Sequence, residues 1–190
     1  MNIAISMEMT RVLRDTWHAA LNHEWYEFLS DHTIVPLCCH GEFDIDAYDL
    51  IILAGGNDML GIRTWRDNHY PARDEFERRL LHAALVEQKP VMGICRGAHF
   101  LNHERGGTLQ VMETPYDNVE VELPEFPVRC HHTIRINKLA PGWEVLQQDT
   151  AGVVESAWDR QHRLLGIGWH PERHVNAHTR KYVLDLIHQL

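Results

Sequence analysis

Apolar positions along the chain follow two periods, and the switches between them mark out its elements. Residues 2–6 are a short apolar run, which predicts a strand, and Leu13, Trp17, Ala20, Leu21, Trp25 and Phe28 then recur at helical spacing, which predicts a helix. Thr33 to Leu37 reads as a second strand. Tyr48 to Ala54 is almost continuously apolar and stops at Gly55-Gly56, the pattern of a strand covered on both faces, and so implies parallel pairing. Asp74-x-x-Glu77 has the form of a capping box, and Phe76, Leu80, Leu81, Ala84 and Leu85 line one face of the helix it would start, with Lys89-Pro90 ending it.

Val91 to Ile94 is a short apolar strand, followed at once by a helical stretch from Cys95 to Asn102 that runs on to Gly106-Gly107. The region from Thr108 to Ile136, with prolines at 115, 124 and 127, predicts a small antiparallel β excursion. Strands are expected at Gly152 to Ala157 and at Leu164 to Trp169, and Tyr182, Val183, Leu186, Ile187 and Leu190 form the apolar face of a closing helix. The alternation predicts an α/β fold, an open and mostly parallel sheet with helices on both faces. With no repeat, low-complexity tract or linker visible, residues 1–190 are expected to form one domain.

Composition narrows the function. Hydrophobic residues make up 44% and charged residues 24%, ordinary for a globular chain. The 27 acidic against 18 basic residues give a net charge of −9, which offers no general attraction to nucleic acid or anionic lipid, so neither is expected as a partner. The N-terminal residues lack the form of a secretory leader and no apolar run reaches the roughly 18 residues of a spanning helix, so a cytoplasmic protein is expected. The cysteines at 38, 39, 95 and 130 are too few and too irregular for a disulfide framework, and free thiols are expected.

One of these thiols stands in a reactive setting. Gly93-Ile94-Cys95-Arg96-Gly97 has the strand, small residue, nucleophile, small residue, helix order of a nucleophile elbow, with cysteine in the serine's place. The glycines allow a sharp turn, the helix start lowers a thiol pKa, and the N–H of Arg96 would face a developing oxyanion. A packed core cysteine would satisfy the local pattern too, and a base is therefore the deciding partner. Gly166-Ile167-Gly168-Trp169-His170-Pro171-Glu172 puts His170 just past a buried strand, with Glu172 placed to accept its second N–H. Cys130-His131-His132 could suggest a metal, but nothing at zinc-site spacing completes a set, so no metal is expected. Arg63, Arg66 and Arg73 follow the Gly55-Gly56 turn and are candidates to hold a carboxylate or phosphate, against a solvated surface role for each.

These residues, with Leu53-Ala54-Gly55-Gly56-Asn57-Asp58, Asn102 and Gly106-Gly107-Thr108-Leu109, make the chain resemble the class I glutamine amidotransferases, and within them the free-standing gamma-glutamyl hydrolase branch. The resemblance covers almost the whole chain. It implies a flavodoxin-like core, a Cys95–His170–Glu172 triad, an oxyanion hole from the amides of Gly56 and Arg96, and a gamma-glutamyl thioester. It also places Gly55, Asn57 and His99 on the substrate side, together with His131 or His132 from a histidine-bearing stretch, against a solvated loop role for these two, and requires no cofactor. Where glutamine-dependent members commonly carry glutamine four residues beyond the nucleophile, this chain has His99, and Arg96 replaces their usual aliphatic residue; both features look more like the hydrolase branch. The Arg96-to-Asn102 stretch and a helix bearing Arg14-Asp15-x-Trp17 are similar to small hydrolases found with surface-polysaccharide genes. Some of those release glutamate from a gamma-glutamyl phosphoramidate of cytidine diphosphate. The expected activity is hydrolysis of a small-molecule gamma-glutamyl amide. The alternatives are a glutaminase subunit feeding ammonia to a partner synthetase, and a non-catalytic binding protein on the same fold.

Overall fold

A computed structural model describes residues 1–13, 16–62, 64, 68–173 and 176–190. Its strands are β1 (Asn2–Ser6), β2 (Glu8–Leu13), β3 (Thr16–Ala20), β4 (Thr33–Leu37), β5 (Leu50–Leu53), β6 (Val91–Ile94), β7 (Thr108–Val111), β8 (Val119–Glu122), β9 (Pro127–Cys130), β10 (Ile134–Lys138), β11 (Glu144–Gln148), β12 (Val154–Asp159) and β13 (Leu164–Ile167). The helices are α1 (Glu24–Phe28), α2 (Pro71–Val86), α3 (Arg96–Glu104) and α4 (Ala177–Ile187). A seven-stranded sheet runs in the order β11-β12-β13-β6-β5-β1-β4. Every pairing from β13 to β4 is parallel, and β12 and β11 add antiparallel strands at one side. The chain is therefore an α/β fold around a mostly parallel sheet.

Both faces of the sheet are covered, which is why its central strands read as unbroken apolar runs. On one face Ile3, Ile5, Leu50, Ile52, Met92, Ile94, Leu165 and Ile167 pack under Trp25 and Phe28 of α1 and Val183 and Leu186 of α4. On the other, Ala4, Ile51, Leu53, Val91 and Leu164 pack under Phe76, Leu80 and Leu81 of α2 and Phe100 and Leu101 of α3. Alternate residues of each strand thus serve alternate faces. The expected β excursion is present as two antiparallel pairs, β7 with β10 and β8 with β9.

Two expectations need correction. The apolar spacing from Leu13 to Phe28 does not build one helix: β2 and β3 form an antiparallel hairpin, and only Glu24–Phe28 is helical. Trp17 leaves the shared stripe to pack at a tilt against Tyr70, with ring centroids 5.0 Å apart, while Trp25 and Phe28 enter the core beneath α4. Arg14 and Asp15 lie outside the described residues. Nor does Asp74 cap a helix. Pro71, with its fixed φ and missing N–H, opens α2 three residues earlier, so Asp74 and Glu77 sit inside it as buried acids.

Candidate active site

The carboxyl ends of β5, β6 and β13, three neighbouring parallel strands, deliver Gly55-Gly56, Cys95 and His170 to one edge of the sheet. The turn from β6 into α3 is sharp. Cys95 takes φ 51° and ψ −105°, a region that side chains rarely occupy, and its N–H donates to the Ile167 carbonyl at 2.7 Å. The flanking glycines make this turn fit: a Cβ on Gly97 would lie 2.0 Å from the Leu53 carbonyl oxygen, and one on Gly93 would lie 2.4 Å from the Gly97 carbonyl. Helix α3 can seat on β5 and β6 only because both side chains are missing.

Cys95, His170 and Glu172 are all buried and lie together. His170 Nδ1 donates to Glu172 Oε1 at 2.7 Å, which orients the ring and leaves Nε2 for the cysteine side. A Cβ placed on Gly55 would meet His170 Cε1 at 2.7 Å and Cys95 Cβ at 3.6 Å, so the bare backbone of Gly55 makes room for the ring. Burial pushes the Cys95 thiol up, but the charge and hydrogen bonding of His170, with smaller help from His132 and Arg173, bring it below its ordinary value. Burial likewise works against a charged His170, yet Glu172 and Cys95 outweigh it and raise the imidazole to about 10. Both directions favour the thiolate–imidazolium form over the neutral pair.

A buried ionic cluster fixes the other half of the site. Arg96 reaches from the first position of α3 to α2, where its guanidinium meets Glu77 and Asp74. Arg73 donates to Glu77 Oε1 at 2.9 Å, to Asn57 Oδ1 at 3.0 Å and to the Ala54 carbonyl at 2.8 Å, which ties the 54–57 turn to the same helix. Ser6 completes the cluster by donating to Glu77 at 2.6 Å while accepting the Ala54 N–H at 3.2 Å. Burial alone would raise Glu77, but Arg96 and Arg73 pull its carboxyl below the usual range. Arg73 is thus wholly enclosed in the scaffold and not offered to a ligand; Arg63 and Arg66 lie outside the described residues. Asn57 also spends its side chain on scaffolding, bonding Met9 N–H at 2.9 Å and Met9 carbonyl at 2.6 Å.

Gly56, Cys95, Arg96, His99, His131 and His132 surround a cleft of about 330 Å³, which Asn57 also borders. Gly55 lines a separate cleft beside His170. His99 is buried against His132, ring centroids 5.6 Å apart, and is pushed down to about 3 by desolvation and that neighbour, so it stays neutral. His131 lies edge-on to His170 at 5.8 Å. His132 Nε2 lies 3.2 Å from Glu155, and Cys130 donates to the same carboxylate at 3.5 Å. Ligand atoms of Cys130, His132 and Glu155 therefore fall within 4.8 Å of one another, a three-donor group that the local spacing of Cys130-His131-His132 does not reveal. Burial and the carboxylate push the Cys130 thiol up, and for His132 the carboxylate outweighs burial and raises the imidazole. Glu155 is the residue missing from the sequence reading. Its signal was a lone acid inside the apolar run from Val153 to Trp158.

The sequence model of the peptidase C26 family matches residues 40–121 and 110–172. The chain is 28% identical over 182 residues to protein NtpR of Enterococcus hirae, covering 76% of each. It is 28% identical over 145 residues to the gamma-glutamyl-CDP-amidate hydrolase of Campylobacter jejuni, covering 73% of this chain and 71% of that one. A glutamine amidotransferase structure from Thermotoga maritima superposes with a TM-score of 0.68 at 14% identity, covering 97% of this chain and 80% of that one, a likeness of fold.

Proposed function

The chain belongs to the peptidase C26 family of glutamine amidotransferase-like C–N hydrolases, and on that premise we propose that it hydrolyses gamma-glutamyl amides through Cys95, His170 and Glu172. The observation that carries this reading is Cys95 on a strained elbow against a His170–Glu172 pair bonded at 2.7 Å. The Cys95 thiolate attacks the side-chain carbonyl of the glutamyl group, whose tail occupies the cleft between Gly56 and His132. The amides of Gly56 and Arg96 receive the negative oxygen of the tetrahedral intermediate. As the C–N bond breaks, the imidazolium of His170 gives its proton to the departing amine, leaving a gamma-glutamyl thioester on Cys95. Neutral His170 then takes a proton from water, the hydroxide adds to the thioester, and glutamate leaves with the thiolate restored.

No step calls on a metal or an organic cofactor. For the amine, the reading follows the Campylobacter jejuni relative, whose name specifies gamma-glutamyl-CDP-amidate. Purified protein, without any partner, is to be assayed for glutamate release from glutamine, gamma-glutamyl amines and a gamma-glutamyl phosphoramidate. The expected result is turnover of a conjugate in preference to glutamine, abolished in Cys95→Ala. Full activity in that variant would overturn the mechanism, and turnover of glutamine only after a synthetase is added would make the chain an ammonia-supplying subunit.

A further inference from the structure

The two catalytic partners open onto different clefts. Cys95 and the oxyanion residues Gly56 and Arg96 border the 330 Å³ cleft, which His170 does not. His170 instead lines two others, one of about 270 Å³ and one of about 510 Å³, neither of which includes Cys95. The acyl half of the substrate must lie with the nucleophile and the oxyanion donors. Its nitrogen must lie toward the group that protonates it. A leaving group protonated by His170 has these two spaces to extend into.

Besides His170, Arg173 is the residue common to both. Its side chain is one-third exposed, and among the described residues its ion-pair partner is Glu172, at 3.7 Å. That contact is to Oε1, the oxygen that already accepts the much closer His170 bond. The guanidinium thus keeps most of its donors for something else. The smaller space is walled by Trp25, Gly55 and two acids, Glu8 and Glu172. The larger one carries a second guanidinium, Arg129, and one acid, the exposed Glu120, 3.9 Å from Arg129. Asn176, the N-cap of α4, also borders it, but its side chain accepts the N–H groups of His178 and Thr179, so the positive character here comes from the arginines. In a chain of net charge −9, this cleft is bordered by two guanidinium groups, Arg173 paired with Glu172 and Arg129 with Glu120, and Arg129 also donates to Asn118.

We propose that the 510 Å³ cleft receives an anionic, phosphate-bearing leaving group, and that Arg173 is the residue that selects it. This rests on the hydrolase reading above. A bidentate guanidinium next to His170 would hold the phosphate while the amine nitrogen is protonated, and Arg129 would take the outer end of a longer group.

The test compares gamma-glutamyl conjugates of phosphoethanolamine and of ethanolamine, which differ only in the phosphate, on wild-type protein, Arg173→Gln, Arg173→Lys and Arg129→Gln. The wild type is expected to favour the phosphorylated conjugate, and Arg173→Gln to lower that kcat/KM ratio by about tenfold or more, chiefly through KM. Arg173→Lys should recover part of the ratio, and Arg129→Gln should lower it less. A wild type that favours the neutral conjugate, or a ratio unmoved in Arg173→Gln, would overturn the proposal. A parallel titration with cytidine diphosphate separates the two readings. If neither these conjugates nor the gamma-glutamyl phosphoramidate is turned over, the hydrolase reading fails, while nucleotide binding that weakens about tenfold or more in Arg173→Gln upholds the anion cleft. Absent or Arg173-independent binding would overturn it.

Discussion

At Cys95 burial and charge pull in opposite directions, and the balance decides whether the sulfur is a nucleophile. Burial favours the thiol, while His170 and, more weakly, His132 and Arg173 favour the thiolate, and their pull outweighs burial and lowers the pKa. Thiolate grows as pH rises through the pKa, so a value held below the ordinary 9.0 moves the alkylation profile of Cys95 to lower pH than that of a free thiol. In His170→Gln the main opposing charge is lost and burial acts with less resistance. The midpoint of iodoacetamide alkylation at Cys95, followed by peptide mass, should then move up; an unmoved midpoint would contradict the ion-pair account. Cys130 provides an internal contrast, because burial and Glu155 push its thiol up and should keep it unreactive over the same range.

Between elements, α2 acts as the bracket that holds the turn after β5 and the start of α3 in register. Glu77 is its centre, since Arg73, Arg96 and Ser6 all converge on that one carboxylate. Removing it leaves two buried guanidinium groups facing each other, with Asp74 the remaining acid of the cluster. Glu77→Ala should therefore cost about 3–5 kcal/mol, read as a fall in the urea midpoint, whereas a loss under about 1 kcal/mol would show that the cluster is dispensable. The same pair of acids shows how far the sequence could be read. Asp74-x-x-Glu77 matches a capping box by spacing, and nothing local reveals that their partner is Arg96, about twenty residues on and brought close by the fold. By contrast β5, β6 and β13 were legible because strands covered on both faces need apolar side chains at every position. Edge strand β11, with Glu144, Gln147 and Gln148 in five residues, has no such need and carries only Val145 and Leu146, too short an apolar run to stand out. The β2–β3 hairpin was hidden because Leu13, Trp17 and Trp25 happen to share helical spacing while serving different neighbours.

Across the whole molecule, the parallel sheet gathers residues distant in sequence at one edge: the turn at Gly55-Gly56, the elbow at Cys95 and the segment from His170 to Arg173. Residues near a strand end could be read as site candidates, since an open α/β sheet presents its carboxyl ends to ligands. Arg173 and Glu155 could not, because their significance comes from clefts and contacts that only the assembled chain defines. Among the described residues no helix is long and apolar enough to cross a membrane. Under the proposed reaction the substrate's two halves divide between the cleft at Cys95, which takes the glutamyl group, and the cleft at His170 and Arg173, which takes the leaving group, and a gamma-glutamyl thioester on Cys95 links the two steps. Its most direct test is the mass of protein quenched in acid while turning over a gamma-glutamyl amide. The account predicts an added glutamyl group on the peptide that contains Cys95, lost with hydroxylamine and absent from Cys95→Ala; glutamate release continuing in that variant, with no adduct in the wild type, would contradict it.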